Sequence, residues 1–437
     1  MWEGGAIYDA LEELKLVDEI GFIEVSPAMR IVGSDYDVAI TSAEAVGEDL
    51  KSMFPAERTA IDGFLGDCEA LASEMAGLMG TAPDLLGLGG KFRLMMKFFL
   101  SSPKMRKYGS KSYREVLNVF FKEPRLQAIF GTILPFQPDV MAPLMMHILG
   151  GEPVAYYPKG GAQALAKVLA GGVARYGGEV ALNTTVTKIL VENGAAVGVE
   201  VAGGRKVKSR NVVSNADGRQ TFLKLLGDQY LNPKFVKELK ETRLSESSFL
   251  VSLGVDLDLQ AMGFDGKTII YNRSDDLDDI FSIDLDKCYL RIMMHSLRDP
   301  SQAPPNTSTV QLLTLLPYNY MGKWKVEKDG TRGKEYTELK EALADKLIAS
   351  AAKLIPDLSK HIVCKDIATP LTFERYTFNS EGAQMAWFPL PGGKMRSQKT
   401  PIKGLYQAGA WTFPGASLYA VVPSGRSAAQ LIIREVR

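Results

Sequence analysis

The chain has 437 residues, and 51 lysines and arginines are balanced by 51 aspartates and glutamates, so its formal net charge is zero. A neutral chain projects no long-range field towards a polyanion, so no nucleic-acid partner is expected without a local basic cluster. The length is sufficient for one large core or two, with the composition of an ordinary globular protein. Cys68, Cys288, Cys364, His147, His295 and His361 stand alone, without metal-ligand or CxxC spacing. No metal site and no dithiol chemistry are expected, and the cysteine usage points to a reducing, cytoplasmic setting. Met1-Trp2-Glu3-Gly4-Gly5 does not open a secretory signal. The most apolar stretch, Phe130 to Leu149, is broken by Pro135, Pro138, Asp139, Pro143 and His147 and is not expected to span a membrane.

Ile7, Leu11 and Leu14 keep helical spacing, and a mostly helical region is predicted from there to about Gly150. Tyr156-Tyr157-Pro158-Lys159-Gly160-Gly161 then leads into a predicted helix over Ala162 to Tyr176, closed by Gly177-Gly178. Thr185 to Glu192 and Ala195 to Ala202 flank Asn193-Gly194, a strong hairpin signal, and Gly203-Gly204 returns the chain through Val207 to Val213. Phe249 to Leu316 reads as further strands. Tyr336, Leu339, Leu343, Leu347 and Leu354 mark a helix stopping at Pro356, and Ile362 to Ile367 is strand-like. Gly404 to Arg437 reads as a strand, a glycine-rich loop and a final helix. The texture is α/β, with two interleaved domains.

The tail carries the chemistry. A short apolar strand, Leu405-Tyr406-Gln407, runs into Ala408-Gly409-Ala410, whose small side chains let a flat ligand approach the backbone. A helix is predicted to start near Ser424, with Ser424 as its cap and its free N–H groups facing partial negative charge. A reduced flavin and an ordinary turn before a surface helix are both compatible with that spacing.

The segment Gly404 to Gly415 with Val421 to Ala429 resembles the C-terminal flavin-binding motif of the phytoene desaturase, carotenoid isomerase and retinol saturase group, within the amine-oxidase-like flavoproteins. Tyr157 to Gly161 through Ser214-Asn215-Ala216-Asp217 is similar to the group's middle segment. Phe373-Glu374-Arg375-Tyr376-Thr377, Gly382-Ala383 and Trp387 are similar to the segment preceding its tail. The resemblance implies FAD as cofactor. It places Gly160, Gly161, Val186, Asn215, Ala216, Gly409, Ala410, Gly415, Val422 and Gly425 at it, with Val186 against the adenine. Ala410 stands where many members of the wider superfamily have an acidic residue, so only its backbone is available. Lys159 is within reach of a phosphate on this reading. No catalytic acid or base is assigned.

The resemblance implies an FAD-binding Rossmann-like domain interleaved with a substrate domain of mixed sheet and helices. Residues 1–150 are expected to form a helical cap, 151–240 the middle of the FAD domain, 241–370 the substrate domain and 371–437 the C-terminal FAD segment. The group's Gly-x-Gly-x-x-Gly unit, which holds the ADP half, is not in this sequence and is expected to lie before Met1. Its loss is expected to leave strand edges unpaired and FAD weakly held. The implied reaction is hydrogen transfer at a carbon–carbon bond of an apolar, isoprenoid-like substrate. An amine or other small-molecule oxidase, and an inactive remnant that needs a partner, are the alternatives. Phe92 to Leu100 and Phe130 to Leu149, with Lys91, Arg93, Lys97, Lys104, Arg106 and Lys107 nearby, fit either a helical cap with a solvated basic face or a peripheral membrane contact at a substrate entrance. The oligomeric state is open.

Overall fold

The computed structural model describes all residues except 1–4, 26–28, 41–42, 79–81, 134–136, 151–154, 394 and 437. Most of the opening Met1 to Gly5 run, and Pro135 within the apolar stretch, lie outside the described residues. The first helix, α1 (Ala6–Glu13), buries Ile7 and Leu11 as their spacing requires. The helical region then comprises α2 (Ala43–Met53), α3 (Arg58–Leu78), α4 (Leu88–Ser101), α5 (Pro103–Tyr108), α6 (Tyr113–Phe120), α7 (Pro124–Gly131) and α8 (Ala142–Leu149). Helix α6 starts with a capping box: Glu115 N–H donates to Ser112 Oγ at 3.2 Å, and Ser112 N–H donates to the Glu115 carboxylate at 2.7 Å. Phe64, Phe121 and Phe130 form its aromatic centre, with Phe64 and Phe130 ring centroids 4.8 Å apart.

Three strands interrupt this region, which the sequence reading treated as helical: β1 (Phe22–Val25), β2 (Met29–Val32) and β3 (Asp37–Ile40). Each is four residues long, too short for alternation to register, and two find their partners far along the chain. β1 pairs with β4 (Ala155–Pro158), and β2 pairs in parallel with β10 (Thr268–Tyr271).

Helix α9 (Ala162–Arg175) precedes a three-stranded meander of β5 (Val186–Glu192), β6 (Ala195–Val201) and β7 (Lys206–Lys208). Asn193 and Gly194 take φ of +48° and +76°, the two left-handed residues that the first hairpin demands. β8 (Val212–Ser214) was read as a continuation of the meander. It instead leaves that sheet and pairs in parallel with β14 (Leu405–Gln407).

A π-helix (Gln220–Gly227) and α10 (Pro233–Glu241) lead to β9 (Ser248–Val255). After β10 come α11 (Leu277–Ile280), β11 (Leu290–Met293), β12 (Ser308–Leu315), α12 (Tyr320–Lys323), α13 (Lys334–Ala351), β13 (Ile362–Ala368), α14 (Pro370–Thr377), β14 and α15 (Leu418–Val436). The principal sheet runs β13-β9-β12-β11-β10-β2-β3 and is mixed, because β2 joins β10 in parallel. Helix α13 seals one of its faces: Leu343, Leu347 and Ile348 share a core with Val251, Leu253, Leu290, Ile292, Val310 and Leu312. Burying each such aliphatic side chain contributes roughly 1.5–3 kcal/mol, and this packing holds the sheet in place.

Candidate cofactor and substrate site

β8 and β14 run side by side in register, Leu405 opposite Val212 and Gln407 opposite Ser214, so both end at the same level. The chain beyond each strand is thereby brought together: Asn215-Ala216 beside Ala408-Gly409-Ala410. Ala408 N–H donates to Ser214 O at 2.9 Å, and Gln407 Nε2 donates to Ala216 O at 3.3 Å. Gly409 has φ of +88°, and a Cβ built there would lie 1.9 Å from Asn215 Oδ1, so only glycine fits. Its N–H donates to Ser424 Oγ at 3.0 Å, and Ser424 Oγ shares a hydrogen bond of 2.7 Å with Thr412 Oγ1. Both hydroxyls are buried.

This geometry corrects the role expected for Ser424. The final helix begins at Leu418, and Ala420 N–H donates to Ser417 Oγ at 3.1 Å. Ser424 therefore lies inside α15 and ties the helix to the end of β14, rather than capping a helix start. Pro423 is also inside the helix. Val422 consequently packs with Ile7, Leu11 and Leu165 of α1 and α9, partly buried. Gly425 is exposed, and a Cβ there would meet nothing within 4 Å. Gly415 takes φ of +115° in the loop.

The remaining expected residues sit apart from this strand-end group. Val186 opens β5, half-buried and opposite Val201. Gly160 and Gly161 both take φ of +84° at the turn before α9. Gly160 N–H donates to Asp299 Oδ2 at 2.6 Å, and Lys159 N–H donates to Gly21 O at 2.9 Å. Asp299, which the sequence reading passed over, also accepts from Ser301 Oγ at 2.6 Å and from Gln302 Nε2 at 3.2 Å. Burial alone would push its pKa up. The hydrogen bonds from Ser301, Gly160 and Gln302 outweigh that and hold it at about 2. Its one sequence signal is the dipeptide Asp299-Pro300, a turn-initiating pair.

Nor is β14 left with an open edge. Gln407 N–H donates to Gln398 O at 2.9 Å, and Lys399 bridges to Tyr406, so the preceding segment covers the side away from β8. The unpaired strand groups expected from the sequence are therefore not found along β14, whereas β8 pairs with no other strand among the described residues. Segment 383–388 runs next to the strand ends: Ala383, Ala386 and Trp411 form a small core with Ala410, Leu244 and Trp387 against it. Trp387 Nε1 donates to Trp411 O at 3.2 Å, and the two indoles meet edge to face at 4.8 Å. Phe373 to Thr377 lie on α14.

From Trp387 the chain passes to Phe388, in the core on the other side of the principal sheet. There the sheet is asymmetric. Along β9, β11 and β12, residues facing α13 are buried, whereas Leu250, Ser252, Arg291, Met293, Gln311 and Leu313 on the opposite face are half-buried. These strands are internal to the sheet, so the half-burial of this face is not an edge effect.

A second apolar surface lies on α4. Leu88 is 90% exposed, Phe92 61%, Phe99 53% and Leu100 74%, on a helix that also carries Lys91, Arg93 and Lys97. Among the described residues no helix is long and apolar enough to cross a membrane, and no cluster of side chains could hold a metal ion.

The strand-end group brings together Asn215, Ala216, Gly409 and Ala410, four of the residues expected at the cofactor. At the strand ends Asn215 is exposed and Ala216 and Ala410 are half-buried, whereas Gly409 is buried against Asn215 and Ser424; there is free space at Gly425. Helices packed around a large mixed sheet and a separate parallel strand pair make this an α/β fold. The chain belongs to the family described as flavin containing amine oxidoreductase, which matches residues 91–433. FAD is accordingly its cofactor, as expected.

The chain is 29% identical over 398 residues to a chloroplastic prolycopene isomerase of Daucus carota, covering 86% of this chain and 61% of that one. It is 27% identical over 461 aligned positions to a lycopene-forming phytoene desaturase of a Paracoccus species, covering 98% and 86% respectively. The chain spans 61–65% of the length of the prolycopene isomerases it matches. Among solved structures, a putrescine oxidase bound to putrescine superposes with a TM-score of 0.60 at 14% identity, covering 98% of this chain and 86% of that one. An oxidoreductase from Methanosarcina mazei gives 0.58 at 15% identity, covering 98% and 85%. At such identities the likeness is one of fold.

Proposed function

We propose that this chain forms the body of an FAD-dependent oxidoreductase acting at a carbon–carbon bond of a long, apolar, carotenoid- or retinoid-like substrate. The observation that carries the reading is the open sheet face. Leu250, Leu313 and Met293 sit on internal strands, yet are half-buried. Apolar side chains left uncovered there forgo roughly 1 kcal/mol or more each, which an apolar ligand lying across them restores. The relatives named prolycopene isomerase and phytoene desaturase support the same substrate class.

FAD, when bound, supplies hydride acceptance or donation at its ring. The chain's own residues supply position. Gly409 and Ala410, with Asn215 and Ala216, would hold the flavin end by backbone approach, and segment 383–388 connects that group to the open face. The exposed apolar side chains of α4, flanked by its cations, give an insoluble substrate a route from a lipid surface, which makes α4 a peripheral membrane contact on this reading.

Oxidation of a small amine is the second reading. It is favoured by the paired indoles of Trp387 and Trp411 beside Ala410. The purified chain with added FAD separates the two. Chromatographic conversion of prolycopene, phytoene or retinol, with no peroxide released from putrescine, is the expected outcome. Peroxide from putrescine with every polyene untouched would overturn the proposal.

A further inference from the structure

The open face of the principal sheet is not uniformly apolar. Leu250, Leu313 and Met293 share it with Ser252, Gln311 and Arg291, and only Arg291 of these six is charged. Strand register sets Arg291 opposite Ile270 on β10 and opposite Leu313 on β12, so aliphatic residues flank it on both sides. A guanidinium at the centre of a sheet, between aliphatic neighbours, is costly unless something answers its charge.

Within the protein, little does. Arg291 Nη2 donates to Ile133 O at 2.8 Å, but among the described residues Nε is buried without a hydrogen-bond partner. Among the described residues no carboxylate lies within ion-pair distance of it, and burial pushes its pKa down. Two residues earlier, on the same alternation, Tyr289 is 1% exposed and its hydroxyl has no partner among the described residues either. Buried donors are nearly always satisfied, so two unsatisfied ones at neighbouring same-face positions point to an acceptor supplied by a ligand.

We propose that Arg291 recognises the carboxylate of a long apolar acid whose hydrocarbon chain lies across Leu250, Leu313 and Met293. This rests on the apolar-substrate reading and adds a polar end to that substrate. A singly charged carboxylate matches a single guanidinium, whose planar fork takes both oxygens, and the Tyr289 hydroxyl is a further donor. A phosphate-bearing lipid would bring more charge than this face answers.

The test uses the full chain with retinoic acid and retinol as probes, affinity being read from tryptophan fluorescence quenching. The acid is expected to bind about tenfold or more tightly than the alcohol. Arg291→Met should abolish that preference, keep retinol binding and leave the melting temperature no lower. Arg291→Lys keeps the charge without the fork, and should lose most of the preference even if the methionine variant does not fold. Equal binding of acid and alcohol, or an unchanged preference in the variants, overturns this assignment and leaves the apolar-substrate reading intact. Binding of neither polyene overturns both.

Discussion

At the scale of single residues, two glycines of the tail separate folding from ligand approach. Gly409 combines φ of +88° with a notional Cβ 1.9 Å from Asn215 Oδ1. Gly409→Ala is expected to destabilise the fold by about 2 kcal/mol or more in urea denaturation. Gly425 lies within α15 next to open space. Gly425→Ala should therefore stabilise the chain by up to about 1 kcal/mol through helix propensity, while weakening flavin binding in a titration with FAD. An alanine there that leaves FAD affinity unchanged would place the flavin elsewhere. Asp299 offers a pH test. Its folded pKa, about 2, lies below the ordinary carboxylate value, so its contribution to stability is present above about pH 4 and is lost as the pH falls towards 2. Asp299→Asn should flatten that part of the acid-denaturation curve, and cost about 1–3 kcal/mol at neutral pH by disrupting the buried bonds from Gly160 and Ser301. Asp299, Tyr289 and Arg291 were not legible as a group, because what marks them is burial and missing or abundant partners. A linear sequence records neither.

At the scale of elements, legibility tracked length and local turn chemistry. The β5–β6 hairpin, α9 and α13 follow their sequence signals closely, since Asn193-Gly194 and apolar periodicity are local instructions. Strands β1, β2 and β3 carry little periodicity in four residues each, and β1 and β2 have partners far away in sequence. Helix α15 was placed too late. Glycine and proline around 414–425 look like a loop, but Ser424 is bonded to Gly409 and Thr412 from within the helix. The same point gives a prediction in the meander. Gly198 has φ of +144°, and a Cβ there would lie 2.1 Å from Val207 O, on the neighbouring strand. Gly198→Val should unpair β7 from β6, seen as faster amide hydrogen exchange at Lys206 to Lys208, while β9 to β12 stay protected.

At the scale of the whole molecule, surfaces that no single element explains come into view. Helix α4 buries none of its residues, so Leu88, Phe92, Phe99 and Leu100 are exposed alongside its lysines and arginine. Phe92→Ser with Phe99→Ser should lower co-sedimentation with vesicles containing anionic lipid several-fold without moving the melting temperature. Equal sedimentation of the double variant would remove α4 from any membrane role. The sequence alone determined the α/β class, the likeness to a flavoprotein group and the strand-loop-helix order of the tail, because turn residues, apolar periodicity and motif spacing are written locally. Tertiary structure decided which ends meet. It paired β8 with β14 so that Asn215 faces Gly409, closed the edge of β14 with Gln398 and Lys399, clamped Gly160 to Asp299, and left Arg291 unanswered on an open sheet face. Each of those depends on contacts between residues distant in the chain, whose energies exist only once the sheets have formed.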